Sequence, residues 1–512
     1  MNLWPRDVLL HHPKIELIAV ISIIFATILM LIRIGSAVSF SEPLQVGTSG
    51  GEQEALYSIW RSIQGLDVYQ DPHNIPFSST FYNWMFVKCY AILSGIILST
   101  FSLEDAWLPT VSRFITLTVL SIGIVVSYLS FITVTNPRGN GTKAVASVLA
   151  IFLFVGPLVG FWGFTARADI PGLVFEVALV LIFWKFYPSL KVRHIFVCVA
   201  IAYCAWGFRH VNVISTVTII VFLLHRRDLK TCSLFVFPLV GLYLLTMYIG
   251  GQHYFNGLLG PSYHGFSYRQ FLTNLESFAF KGSPLIAILV ATVVTATMSE
   301  KVRQAWANDE KSKFVLIGFV CAALLTTVTS TKIGSGDYYY FVFSYYAALV
   351  GVKGFELLKV EQRRSNSICP IVVFRSLSTL GWLANIVAVI VVLVGFRGVV
   401  SVREQNDFYV SVRECVQQLP KPVFIDNGYL SLPWINPSKI NFVLSWSYPI
   451  ERRRGMRFER GGIGGLITEG YFGSLLLNSG STSTYDGAGL GGYVKDSSQC
   501  GVWGVAYLRK SL

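Results

Sequence analysis

Two short charged segments of this chain have residue types that could do chemistry. Gly51-Glu52-Gln53-Glu54-Ala55-Leu56-Tyr57 follows the first hydrophobic stretch, and Arg167-Ala168-Asp169 ends a later one. Carboxylates at the ends of apolar helices are costly to keep near lipid, which makes Glu52, Glu54 and Asp169 the best candidates for function. A carboxylate so placed can take up a proton or hold a cation. Each segment also has a plainer reading. Glu52 and Glu54 open a stretch of helical spacing, where the macrodipole favours an acidic first turn. Arg167 and Asp169 can form a loop ion pair, with Pro171 starting the next helix.

The elements that position these residues are set by composition. The chain has 512 residues, 53% hydrophobic and 13% charged, with a mean hydropathy of +0.56. A soluble domain has about 25% charged residues, so this is an integral membrane protein. The net charge of +13 lies mainly in short loops between apolar stretches. That is the positive-inside pattern and argues against nucleic acid as a partner. About eleven apolar runs of spanning or near-spanning length extend from Leu17–Val38 to Val372–Val400. Loops carrying Lys185, Arg226, Lys301 and Lys353 are read as inside, and loops carrying Glu52, Asp71, Asp169 and Asp337 as outside. The N-terminus then starts inside and the tail ends outside. Tyr82–Phe101 breaks the alternation if it crosses, so it is expected to lie in the interface or re-enter.

Within the first outer loop, Leu56, Ile59, Trp60 and Ile63 share one helical face from Glu52 to Gln64, and Gly65 closes the helix. This helix is expected along the membrane surface. Residues 1–400 form the membrane domain. Residues 401–512 read as a small extracytoplasmic α/β domain, with Pro422–Gly428 and Gly465–Ile467 as short strands ending in turns. Cys415 and Cys500 lie in this polar tail and can form a disulfide on an oxidising face.

The order Glu52, Tyr57, Gly65, Tyr69, Pro76 and Tyr82 resembles the class C glycosyltransferases, which include protein mannosyltransferases and bacterial aminoarabinose and galacturonic-acid transferases. Those enzymes carry an acidic pair after the first span, then a surface helix. They usually have Asp-Glu there; this chain has Glu52 and Glu54. Thr165-Ala166-Arg167-Ala168-Asp169 is similar to a second family feature. Phe208-Arg209-His210 is similar to a third, and Lys332-Ile333-Gly334-Ser335-Gly336-Asp337-Tyr338 to a fourth, with Asp337 where Asn is usual.

The resemblance implies an α-helical polytopic enzyme that transfers one sugar from a polyprenyl-phosphate donor to an acceptor hydroxyl on a glycan, lipid or protein. It implies Glu52 or Glu54 as general base and Asp169 as the group that positions the acceptor or a divalent metal. Arg209 and Lys332 would hold the donor phosphate, with His210, Arg269 and Arg167 behind them. The site and tail would face the exterior, the periplasm of a bacterial inner membrane. Two other classes compete, a flippase of lipid-linked glycans and an inactive assembly subunit. A flippase would carry pseudo-repeats and deep charges in several spans, and neither is seen. His253 and His264 lack metal-ligand spacing, and Arg452-Arg453-Arg454 reads as a solvated basic run.

Overall fold

The computed structural model describes residues 13–44, 51–78, 80–137, 139–260, 265–365, 369–395, 397–426, 430–444, 447–478, 489–496 and 504–510. Helices dominate because an apolar segment in hydrocarbon must pair every backbone N–H and C=O internally. Among the described residues, six helices are long and apolar enough to cross a membrane: Leu17–Ala37, Asp105–Thr135, Leu229–Leu259, Glu310–Ser330, Asp337–Gln362 and Pro370–Leu393. A seventh results if Tyr268–Lys281 and Ser283–Met298, bent by 84°, count as one broken span. The shorter apolar helices Trp84–Thr100, Asn140–Val155, Val192–Phe208 and Ile214–His225 pack among them, as does Asp169–Phe186. Several of the expected runs are therefore helical but below spanning length.

The run read as Ala144–Phe164 is helical only to Val155. Gly156 and Pro157 end it, and a 3-10 turn follows at Gly160–Gly163. Tyr82–Phe101 forms one 17-residue helix, Trp84–Thr100, which is not among the six long ones. Its N-cap Asn83 accepts from the Trp84 N–H at 2.8 Å and donates to the Trp206 carbonyl at 2.7 Å.

The two ends of the helical bundle differ. At one end Thr142 donates to Glu356 at 2.6 Å, Lys353 pairs with Asp309 at 2.9 Å, and Lys311 donates to the Thr133 carbonyl at 2.9 Å. The basic loops meet there. The acidic motifs collect at the other end, beneath the C-terminal part. Glu176, inside an apolar helix, accepts from the backbone N–H groups of Ile214 at 3.0 Å and Ser215 at 2.6 Å. It thus caps a neighbouring helix, which explains a fully buried carboxylate without a proton path.

The C-terminal part begins with the helix Arg397–Gln418 and holds four strands: β1 (Val423–Ile425), β2 (Ser474–Asn478), β3 (Tyr493–Asp496) and β4 (Gly504–Arg509). The sheet order is β1-β2-β4-β3, with β1 parallel to β2 and the other pairs antiparallel. The period of two sends Val423, Ile425 and Leu476 against Tyr409, Val412 and Val416 of the preceding helix. Phe424, Leu475 and Leu477 face the other way, into a cluster with Phe442, Tyr448 and Phe458.

Gly465–Ile467, expected as a strand, is instead inside the helix Gly462–Thr468. Ile463, Leu466 and Ile467 are buried at helical spacing, and that period decides the element. Cys415 is disulfide-bonded; Cys500 lies outside the described residues.

Candidate active site

The helix Gly51–Ile63 is amphipathic, yet both of its faces are covered. Leu56 and Ile59 pack against the Trp84–Thr100 helix. On the other side Tyr57 donates to the Asn441 carbonyl at 3.3 Å, and Gln53 donates to the Leu444 carbonyl at 3.1 Å. The expected surface helix is thus sandwiched between the bundle and the C-terminal part. Gly65 adopts φ 70°, the left-handed geometry expected of the closing glycine.

This packing gives the two glutamates different surroundings. Glu52 is fully buried and every carboxylate lone-pair direction is engaged. Its Oε1 accepts from Arg113 Nε at 3.0 Å and the Ala166 N–H at 3.0 Å. Its Oε2 accepts from Arg113 Nη2 at 2.8 Å and the Leu44 N–H at 2.7 Å. Arg113 in turn donates to the carbonyls of Ala37 (3.1 Å), Phe40 (2.5 Å) and Glu42 (2.8 Å). This knot joins the end of the first helix, the start of the helix Leu108–Thr135 and the segment before Asp169. Sequence reasoning missed Arg113. The available signal was a lone Arg at the mouth of an apolar helix, on the side otherwise poor in basic loops.

Glu54, also buried, belongs to a second group centred on Tyr82. The charges acting on the Tyr82 hydroxyl are those of Arg167, Asp169, Glu54 and Arg209. Tyr82 donates to the Gly51 carbonyl at 2.5 Å. A Cβ on Gly51 would fall 1.7 Å from Arg167 Nη1, so only glycine lets the guanidinium lie against the start of this helix. Arg167 Nε donates to Asp169 Oδ2 at 2.8 Å, and Arg209 pairs with Asp169 Oδ1. Tyr338 lies under both guanidiniums at 4.8 Å each, with Trp162 4.2 Å from Arg167. Stacking of this kind holds cations in place while leaving N–H edges to a ligand. The aromatic bed was not foreseen, although Tyr338 falls in the motif around Lys332.

Lys332 and His210 stand next to Arg209. Burial and the Arg209 charge hold the Lys332 ammonium down at about 8. Among the described residues it makes no ion pair. Burial, Lys332 and Arg209 hold His210 down at about 3. The imidazole is therefore neutral near pH 7 and can offer a hydrogen bond but not a cation. Arg269 is exposed at the start of the helix Tyr268–Lys281. Asp337 is bound to Lys281 and, at 3.1 Å, to Ser277, so it ties the bent helix pair to a second 3-10 turn, Asp337–Tyr340.

A cavity of about 180 Å³ opens beside this group. Asp169, Arg209, Asn212 and Tyr339 form its polar side, and Leu173, Leu325 and Val342 its apolar side. Asn212 Nδ2 is buried without a hydrogen-bond partner. A Cβ on Gly172 would lie 1.8 Å from that nitrogen. Among the described residues no group of three His, Cys, Asp or Glu side chains could hold a metal ion. The Asp169 carboxylate is already shared by two guanidiniums, a poor fit to a divalent cation.

No protein-family model and no curated protein matches the sequence. Solved structures do match its fold. ArnT from Cupriavidus metallidurans in the apo state aligns with a TM-score of 0.53 at 12% identity, covering 94% of this chain and 97% of that one. The same protein bound to undecaprenyl phosphate gives 0.51 at 11% identity over the same shares. The Archaeoglobus fulgidus oligosaccharyltransferase tethered with an acceptor peptide gives 0.54 at 13% identity, covering 96% of this chain and 74% of that one. The chain therefore shares its fold with these ArnT and oligosaccharyltransferase structures.

Proposed function

We propose that the chain is a membrane glycosyltransferase that moves a sugar from a polyprenyl-phosphate donor to an acceptor hydroxyl, at the bundle end that carries the C-terminal part. The main support is the convergence of Arg167 and Arg209 on Asp169, with Lys332 beside Arg209. Three cations against two carboxylates, Asp169 and Glu54, leave a surplus positive charge suited to a phosphate. The shared fold with a protein bound to undecaprenyl phosphate adds to this reading.

In this mechanism the acceptor oxygen attacks the anomeric carbon, and the bond from that carbon to the phosphate oxygen breaks. The acceptor proton passes to the Glu54 carboxylate. The phosphate leaves with its charge offset by Arg209 and Lys332. Asp169 fixes both arginines against Tyr338, and the neutral His210 offers a hydrogen bond to a phosphate oxygen. Glu52 is assigned a structural part, because its carboxylate is engaged on every side. About eleven crossings, several by helices shorter than a full span, with the site toward the exterior of a bacterial inner membrane, complete the reading.

The test supplies the purified full chain with undecaprenyl-phosphate-linked sugars and a lipid, glycan or peptide acceptor, and product is followed by mass spectrometry. Release of undecaprenyl phosphate that depends on Arg209 is expected. A folded protein that consumes no such donor, yet moves a lipid-linked glycan across a vesicle membrane, would replace this reading with the flippase.

A further inference from the structure

A second cavity, of about 190 Å³, lies at the opposite end of the bundle, where the basic loops meet. Its walls are Val145, Val148, Ile288, Phe355, Phe374 and Trp382. With Ala19 and Val20 of the helix Pro13–Ala37, five helices build it, and nothing in the proposed sugar transfer uses it. Its side is open to the bundle surface at Val20, which is 45% exposed, and at Ala144. An apolar slot open to the surface of a membrane helix bundle is a place for an acyl chain.

Two polar groups give the slot a chemical preference. Ser378 lines it, is 7% exposed, and among the described residues its buried Oγ has no hydrogen-bond partner. A hydroxyl left unpaired in such a site costs free energy until a ligand atom meets it. Three residues earlier, one helical turn away, Arg375 also lines the slot, and among the described residues its guanidinium makes no ion pair. At the mouth the Lys359 ammonium lies against Gly141, where a Cβ would approach it to 2.0 Å, and 4.9 Å from the Phe355 ring. The nearby Glu356 accepts a hydrogen bond from Thr142 at 2.6 Å. The slot therefore pairs an apolar groove with a cationic rim, and a basic pocket between helices on that face suits an anionic headgroup.

We infer that this cavity is a binding site for an anionic phospholipid, with one acyl chain in the slot and the headgroup phosphate between Arg375 and the Ser378 hydroxyl. The site is separate from the donor site and recognises a different lipid at the other end of the bundle. It lies at the meeting point of the helices Pro13–Ala37, Asn140–Val155, Ser283–Met298, Phe341–Ser365 and Cys369–Gly395.

The experiment is native mass spectrometry of the purified full chain, titrated with phosphatidylglycerol or with phosphatidylcholine of the same acyl length. The wild-type protein is expected to retain phosphatidylglycerol preferentially. Arg375→Ala should weaken that retention roughly fivefold to tenfold, the effect of removing one cation from a headgroup site. Ala144→Trp, which changes no charge and fills the slot from its mouth, should displace both lipids. The proposal is overturned if wild type shows no preference for the anionic lipid, or if folded Arg375→Ala and Ala144→Trp proteins bind like wild type. Displacement of the lipid by excess inorganic phosphate would also overturn it, because the cationic rim would then be a free-anion site. None of these readouts uses sugar transfer, so failure here leaves the proposed activity standing.

Discussion

Two glutamates two residues apart are expected to fail in different ways. Glu54→Gln removes the proposed proton acceptor but keeps the size and shape of the side chain, so sugar transfer should fall by about 10²–10⁴-fold while the protein stays folded. Glu52→Gln removes the charge that faces Arg113 in a site with no access to water. Breaking one side of such a pair costs about 3–5 kcal/mol, so the thermal midpoint should drop sharply, with activity lost along with the fold. Replacing Glu52 and Arg113 together by apolar residues should not rescue stability. Arg113 also satisfies three loop carbonyls, and Glu52 also satisfies the N–H groups of Leu44 and Ala166. Equal activity in wild type and Glu54→Gln would remove Glu54 from the mechanism.

Lys332 supplies a pH test at the same scale. Burial beside Arg209 lowers its ammonium to about 8, so the cation is present below that pH and disappears above it. If Lys332 holds the donor phosphate, kcat/KM should decline as pH rises through about 8, because this parameter reports groups of the free enzyme. Lys332→Arg keeps its charge and should move the decline upward by at least a unit. A wild-type profile that stays flat between pH 7 and pH 10 would show that no titrating lysine binds the donor.

At the scale of elements, the cavity wall depends on one glycine. The helix Asp169–Phe186 approaches the Val211–Val213 turn closely because Gly172 has no side chain, and the Asn212 amide occupies that space. Gly172→Ala places a methyl group where the amide nitrogen lies, and the flexible amide must swing toward the cavity. Donor KM is expected to rise several-fold with a modest change in stability, of about 1 kcal/mol or less, because the displaced group is the tip of a side chain. Asn212→Ala in the same background should restore the space, and a double variant no better than Gly172→Ala would refute the steric account.

The same elements show what could be read from the residues alone. Apolar runs, the helix after Gly51 and its closing Gly65 are local patterns, and local patterns survive folding. The motif order at Glu52, Arg167, Arg209 and Lys332 pointed to the right fold because each segment sits at the end of a helix. The knot at Arg113 was not legible, since its partners lie 61 to 76 residues away in the chain. The cover over the Gly51–Ile63 helix was missed for a similar reason. Asn441 and Leu444 reach it across more than 380 residues. The Gly462–Thr468 helix was misread because three of its seven residues are glycine and three, Ile463, Ile467 and Thr468, are β-branched, while the buried spacing of Ile463, Leu466 and Ile467 went unweighed.

At the scale of the whole molecule, the C-terminal part is tied to the end that carries the candidate site. Trp434 donates to the Ser41 carbonyl at 2.9 Å, the Ile75 N–H donates to Glu459 at 2.8 Å, and Phe77 is fully buried among Phe442, Tyr448 and Phe458. Burying that one ring contributes about 1.5–3 kcal/mol, so the contact is built into the fold. The basic loops lie at the other end, and a membrane bundle keeps basic loops on the cytoplasmic side. On the proposed orientation, the two observations predict which residues an impermeant reagent should reach. Lys439→Cys, exposed in the C-terminal part, should be labelled in intact cells by a charged maleimide. Ser189→Cys, exposed in the turn after the helix Asp169–Phe186, should be labelled only after the membrane is opened. Both are made in a background that keeps Cys415 and Cys500 and lacks the other cysteines. Labelling of Ser189→Cys in intact cells, with Lys439→Cys protected, would invert the orientation and place the candidate site on the cytoplasmic face, where a lipid-linked donor facing the exterior could not reach it.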